Sequence, residues 1–281
     1  MLNGPGSPRR VFATSPDARH TLVGMVHLGR LFGESRAQGP DLATVEAEAA
    51  RDAERLAAAG FDAIFIENFG DRPFYPDEVP PWTIAALTRC VLAVQRAVGP
   101  ALPLGVNVLR NDARGALSIA AATGAHAIRV NVHVGAAVTD QGIIQGKAHE
   151  TVRLRDRLAP SVQIWADVRV KHAAPLAERP IEEEAEEVHE RGEADALIVS
   201  GLRTGGATDP DRLLAVRRRV ACPVLVGSGA APAQLERLLP VCDGLIVGSW
   251  IKVDGQVLAP VDPARARSFV EAVRGWSGQM A

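Results

Sequence analysis

The residues of this chain that could do chemistry sit at matching places in four apolar stretches. Glu67 closes Asp62-Ala-Ile-Phe-Ile-Glu, Asn107 lies in Leu104-Gly-Val-Asn-Val, Asn131 follows Ala127-Ile-Arg-Val, and Asp167 follows Val162-Gln-Ile-Trp-Ala. Side chains alternate along an extended strand. Ile64 with Ile66, Val106 with Val108, Ile128 with Val130 and Val132, and Ile164 with Ala166 and Val168 should then face one way. Phe65 with Glu67, Asn107, Arg129 with Asn131 and His133, and Trp165 with Asp167 and Arg169 should face the other. His27, from an earlier stretch of the same kind, is expected alongside. Burying carboxylates, amides and a guanidinium is costly unless they are paired or used. One reading is internal scaffolding, with Arg129 paired to Glu67 or Asp167. The other is a site for a polar, hydroxyl-rich substrate, with Glu67 or Asp167 as acid/base, its pKa set by Arg129 and burial. Asn107 and Asn131 would orient hydroxyls, with Arg129 and His133 as further substrate contacts. Carboxylates and amides together could also hold Mg²⁺ through waters. No HxH or HExxH cluster accompanies them, so no required cofactor or protein-bound metal is expected.

Lys171 and His172 lie just past Asp167. Lys171 is in register with Asp167 and so projects over the same place, where it could form a Schiff base or steer an anion. His172 is a second candidate contact there.

A different chemistry is written later in the chain. Val224-Leu-Val-Gly-Ser-Gly and Gly244-Leu-Ile-Val-Gly-Ser are short apolar runs that end on Gly-Ser pairs. Small residues at such an exit let backbone N–H groups converge on an anion. Gly227, Ser228 and Gly229, with Gly248 and Ser249, are therefore expected to bind phosphate. Ser200, which ends Ala196-Leu-Ile-Val-Ser, adds a hydroxyl, Gly205-Gly206 lies beyond it, and Lys252 could approach the bound group.

Positioning these residues requires a repeated scaffold. Apolar strand-like runs alternate with helical patterns throughout. The strands are expected at Thr21–Leu28, Asp62–Asn68, Leu104–Val108, Ala127–His133, Val162–Val168, Ala196–Ser200, Val224–Val226 and Gly244–Val247. Helices are expected at about 41–59, 81–98, 111–124, 147–158, 180–192, 209–220, 231–239 and 262–274, several opening on Asp and stopping at Gly. Eight βα units in unbroken alternation point to an α/β fold, a single (β/α)8 TIM barrel over residues 20–276 behind a disordered or irregular lead-in, 1–19. A doubly wound open sheet is the alternative, but no GxGxxG follows the first strand. Connections entering the strands are tight, whereas those leaving them (29–40, 69–80, 134–146, 171–179, 201–208) are long. Barrel enzymes carry their chemistry on that C-terminal face, and the phosphate cup of such barrels is made by the loops after strands seven and eight.

Composition excludes several classes. A net charge of −2 gives no field for nucleic acid or an anionic membrane. No apolar run reaches the ~20 residues needed to span a bilayer. Three cysteines form no CxxC and suggest neither a disulfide framework nor a zinc ribbon, in keeping with the cytoplasm. The acidic run from Glu182 to Glu187 reads as a solvated helix face. The expected partner is a small, anionic substrate, and a homo-oligomer is expected.

Six segments together resemble the BtpA/SgcQ family: Gly24-Met-Val-His-Leu, Gly105-Val-Asn-Val-Leu-Arg-Asn-Asp, Ile128-Arg-Val-Asn-Val-His, Thr139-Asp-Gln-Gly-Ile-Ile, Ala166-Asp-Val-Arg-Val-Lys-His-Ala and Val226-Gly-Ser-Gly. The resemblance implies a ribulose-phosphate-binding type of barrel. The family takes its name from photosystem I biogenesis, so it also implies an alternative to an enzyme, a non-catalytic assembly or regulatory factor. Where the family motif reads Ala-Asp-Val-His-Val-Lys-His, Arg169 replaces the first His; Arg203 and Trp250 stand where small residues are usual. Within the enzyme class the expected chemistry is that of a lyase, an isomerase or a glycosidic-bond (nucleoside-type) hydrolase.

Overall fold

A computed structural model describes residues 12, 19–33, 40–201 and 208–280. Eight parallel strands close on themselves: β1 (Thr21–His27), β2 (Ala63–Glu67), β3 (Leu104–Asn107), β4 (Ala127–Val130), β7 (Gln163–Val168), β9 (Ala196–Val199), β10 (Val224–Val226) and β11 (Gly244–Val247), with β11 hydrogen-bonded back to β1. Between them run α1 (Leu42–Ala59), α2 (Pro81–Val98), α3 (Ala113–Thr123), α4 (Ala148–Leu158), α5 (Ile181–Glu186, continued as a π turn to Arg191), α6 (Pro210–Arg219), α7 (Leu235–Leu238) and α8 (Pro263–Arg274). The expected (β/α)8 TIM barrel is therefore observed. The seventh helix is the exception: one α turn flanked by 3-10 turns at 232–234 and 239–241 takes the place of a helix over 231–239.

Sequence marks the ends of these elements. Asp41 Oδ1 accepts the Thr44 amide at 2.8 Å and opens α1, and Gly60 (φ 93°) ends it in a left-handed conformation that suits glycine. A second device recurs at the barrel's base. Asp62, Asp195 and Asp243 each precede a strand and accept an amide at the start of the preceding barrel strand: Leu22 at 2.7 Å, Ile164 at 2.7 Å and Val224 at 2.9 Å. A carboxylate on a strand-start N–H is a charge-assisted bond, and three of them fix strand register around the ring.

Alternation along the strands sorts the core into two shells. Outward-facing Ile64, Val106, Ile128, Ile164 and Leu197 pack beneath the helices. Inward-facing Val23, Met25, Phe65, Trp165, Ile198 and Leu225 fill the barrel. Phe65 and Trp165 lie 4.8 Å apart, and Phe12 packs on Trp165 at 5.2 Å and closes the base. The two ends of the described chain meet on that face: Arg19 donates to Gly278 O at 3.0 Å, and the rings of His20 and Trp276 are 5.3 Å apart.

The long connections after the fourth and fifth barrel strands, expected as loops, carry structure. Strands β5 (Ala136–Thr139), β6 (Gly142–Gln145) and β8 (Ala173–Pro175) form a small antiparallel sheet. Its inner side chains, Ala137, Ile144 and Ala173, pack with Val132 and Val170. Most of the expected lead-in, part of the 29–40 connection, Arg203 and Gly205-Gly206 lie outside the described residues.

Candidate active site

The barrel's C-terminal mouth gathers most of the polar residues singled out above. Arg129 and Asp167 form a buried two-pronged pair, Nε to Oδ2 and Nη2 to Oδ1, both 2.8 Å, and Asn131 Nδ2 adds a third bond to Oδ2 at 2.8 Å. Three N–H donors thus bind the Asp167 carboxylate, two of them from Arg129, so it holds that guanidinium in place. Glu67 stands apart from that triad. Its Oε2 accepts from Asn107 at 2.5 Å, and its Oε1 lies 3.7 Å from His27 Nε2, with both side chains 6% exposed. His27 Nδ1 is buried with no hydrogen-bond partner among the described residues. Burial, then the charges of Lys252 and Lys171, hold His27 well below its ordinary pKa, so the imidazole is neutral at pH 7.

Glu67, His27, Arg129 and Lys171 line one cavity of about 230 Å³. Its far wall is the pair of glycine turns, Gly227-Ser228-Gly229 after β10 and Gly248-Ser249 after β11. The amides of Ser228, Gly229, Ser249 and Trp250 make no backbone hydrogen bond within the described residues, which leaves them available to an anion. Glycine is required at two of these positions by close approach. A Cβ on Gly248 would lie 2.7 Å from His27 Cε1, and one on Gly227 would lie 2.3 Å from Ile198 Cγ2 and 2.4 Å from Ser200 Oγ. Ser200 therefore lies beside the turn, with its hydroxyl buried and, like that of Ser228, without a hydrogen-bond partner among the described residues. Trp250 forms part of the cavity wall and carries Arg265, which stacks 4.7 Å over its ring and donates from Nε to its carbonyl at 2.6 Å.

Several expectations need correction. His133 does not share the interior face: its Nε2 bonds Gly192 O at 2.7 Å, in the turn that follows α5. The ladder of β4 ends at Val130, after which the alternation that carried Asn131 inward no longer governs. Arg169 adopts φ 58° just past the end of β7 and pairs with Glu184, outside the barrel. Lys252 is wholly buried and bonds Asp52 at 2.6 Å, so it does not reach the cradle. His172 is exposed and lies outside the lining of the cavity.

Residues not anticipated complete the site. Arg265 arrives from α8 with no local signal, because its partner Trp250 belongs to another element. Arg110 donates to Lys171 O at 2.8 Å and so fixes the backbone that carries the amine. Asn68 accepts the Leu109 amide at 2.7 Å and donates to Asp71 at 3.1 Å, and Asp71 accepts the Leu31 amide at 2.8 Å; this chain ties the first three mouth loops together. Among the described residues no cluster of three His, Cys, Asp or Glu side chains is arranged to hold a metal ion.

The BtpA family model matches residues 18–275. This chain is a member of the BtpA family. It is 47% identical to an uncharacterised protein of Thermococcus kodakarensis over 91% of this chain and 96% of the relative. It is 42% identical to a Synechocystis protein named photosystem I biogenesis protein BtpA, over 90% of this chain and 87% of that one. Among solved structures, thiamine phosphate pyrophosphorylase from Pyrococcus furiosus matches with a TM-score of 0.56 at 16% identity, over 91% of this chain and 96% of the other. Geranylgeranylglyceryl phosphate synthase from Thermoplasma acidophilum, solved with its substrate sn-glycerol-1-phosphate, matches with a TM-score of 0.54 at 14% identity, over 92% and 94%. At such identities these structures establish the shared barrel. No helix among the described residues is long and apolar enough to cross a membrane.

Proposed function

We propose that this BtpA-family chain is an enzyme acting on a small phosphorylated substrate. Its phosphate would be held by residues 227–229 and 248–249, and Glu67 would exchange the proton. The observation that carries the reading is one cavity with two chemically distinct ends, backbone amides without a backbone partner among the described residues on one wall, and Glu67 with His27, backed by Asn107, on the other. Phosphate ester and sugar hydroxyls match those two ends. Asn107 orients the Glu67 carboxylate, and a neutral His27 beside it can accept or return a proton. Arg129, held by Asp167, supplies a fixed positive charge to an oxyanion formed between them. This division of labour fits a lyase, an isomerase or a nucleoside-type hydrolase. It would work in the cytoplasm, in keeping with three buried, unlinked cysteines, and as a homo-oligomer. That barrels of this shape are named for phosphorylated compounds gives the reading further support.

The test is a thermal-shift titration with inorganic phosphate and ribose 5-phosphate. Saturation at a hundred times Kd adds about 2.7 kcal/mol to native stability, a readily measured rise in Tm. Loss of that response in Ser249→Glu, which places a like charge in the cradle, is the expected control. An unmoved Tm with every phosphorylated compound tried would remove the cradle from the proposal.

A second reading is favoured by the name of the Synechocystis relative: a non-catalytic assembly factor. The outer face of the small sheet carries exposed Val138 and Ile143, which suits it. Under that reading Ile143→Asp abolishes the cellular role and Glu67→Gln does not. The enzyme reading gives the reverse result.

A further inference from the structure

Of thirty-one Lys and Arg residues in the chain, three are lysines: Lys147, Lys171 and Lys252. Arginine does the electrostatic work elsewhere, in the buried pairs Arg129–Asp167 and Arg217–Asp243 and in most of the surface bridges. Two of the lysines also hold acids, Lys252 with Asp52 at 2.6 Å and Lys147 with Asp77. The Lys171 amine makes neither an ion pair nor a hydrogen bond among the described residues, yet it lines the cavity that holds Glu67 and both glycine turns. Its backbone is pinned by Arg110, so the amine is presented from a fixed point. A charge needed only to attract an anion would be served by the guanidinium that this chain uses everywhere else. A guanidinium never becomes a nucleophile, whereas an amine withdrawn from water does.

We infer that Lys171 captures the substrate's carbonyl carbon as an imine, and that the substrate class is accordingly a phosphorylated aldehyde or ketone. This rests on the reading of the cavity given above. The neutral amine's lone pair forms the new C–N bond while the carbonyl π electrons move to oxygen. That oxygen takes one proton from the amine nitrogen and a second from Glu67 or solvent. It then leaves as water, and a protonated C=N bond remains. Burial lowers the pKa of Lys171; the carboxylate of Glu67 opposes the shift and the charge of Arg129 adds to it. The shift favours the neutral, nucleophilic form of the amine. Glu67 and the neutral His27, in the same cavity, are placed to relay the protons that imine formation and hydrolysis require.

The full chain is incubated with pyridoxal 5′-phosphate or dihydroxyacetone phosphate, reduced with sodium borohydride, and mapped by peptide mass. The expected adduct is the probe less one oxygen atom, on Lys171. It should form faster there than on Lys147 near neutral pH, because burial favours the neutral amine of Lys171 while the Asp77 carboxylate favours the charged form of Lys147. Inorganic phosphate should slow it, and Lys171→Arg and Lys171→Met should both lack it. Label on Lys147 or the N-terminal amine, with Lys171 unmodified by both probes, overturns the inference. The phosphate thermal shift separates the two claims. If phosphate stabilises the protein and Lys171 stays unlabelled, the imine falls and the anion site stands. If Lys171 is labelled and phosphate neither stabilises nor protects, the cradle falls and the nucleophile stands. No effect in either assay removes both.

Discussion

At the scale of single residues, the mouth contains two carboxylates that the sequence made look alike and that the structure separates. Asp167 is bound by three N–H donors and Glu67 by one, with a neutral imidazole as its other neighbour. Glu67→Gln should therefore lower turnover of an identified substrate by about 10²–10⁴-fold, the usual worth of an acid/base group, while the phosphate-induced thermal shift is unchanged. Asp167→Asn should act on folding first. It leaves the Arg129 charge buried without its carboxylate, a loss of about 3–5 kcal/mol in chemical denaturation. Arg129→Met combined with Asp167→Leu should recover most of that loss, because a buried ion pair exchanged for packed apolar side chains is often neutral. If Asp167→Asn keeps full stability and loses turnover, the assignment of proton transfer moves to Asp167. Parity along a strand located both carboxylates, Asn107, Asn131 and Arg129, because those positions lie in or beside hydrogen-bonded ladders. It failed at His133 and Arg169, where the ladder had ended and the backbone turned.

At the scale of elements, the glycine turns are held open by contact. Gly248→Ala must displace His27, whose Cε1 lies 2.7 Å from the added carbon. The expected outcome is at least about a tenfold loss of phosphate affinity, or ~1.4 kcal/mol, read by the same titration, whereas Gly124→Ala, with nothing within 4 Å, tests the cost of a left-handed glycine alone. Three histidines, His20, His27 and His133, report on how elements pack, and burial holds each below its ordinary value of 6.5. Below pH 6.5 the unfolded chain takes up protons that the folded chain refuses, so stability is full above that value and falls on acidification. Each histidine contributes up to about 1.4 kcal/mol per pH unit until its own folded pKa is reached. Denaturant titrations at pH 7.5 and 5.0 check this, and His133→Gln should make the acid loss shallower. The barrel strands and most helices were readable because apolar periodicity and Asp and Gly boundaries repeat over long stretches. The small sheet was not readable, since Ala136–Thr139 and Gly142–Gln145 are each only four residues long and too short for alternation to stand out from a loop. The seventh helix is shorter than its apolar pattern suggests because Pro232 and Pro240 flank it, leaving one α turn between 3-10 turns.

At the scale of the whole molecule, the two faces of the barrel have different tasks. The base is sealed by Phe12, Trp165 and Phe65 and registered by Asp62, Asp195 and Asp243, while the mouth carries the cavity. On the sealed side, residues 19 and 20 meet residues 274–278. Arg274 donates to His20 O at 2.9 Å, so the last helix is already tied to the start of the first strand. Joining residue 278 to residue 19 through a short glycine-serine bridge should therefore give a circular permutant. A new opening between α4 and β7, another tight connection at the base, would leave every mouth loop continuous. Such a permutant should fold and retain the phosphate-induced thermal shift of the parent chain. Loss of the shift in a permutant with native circular dichroism would mean that the linear order of the βα units, beyond their arrangement in space, is needed to set the cradle.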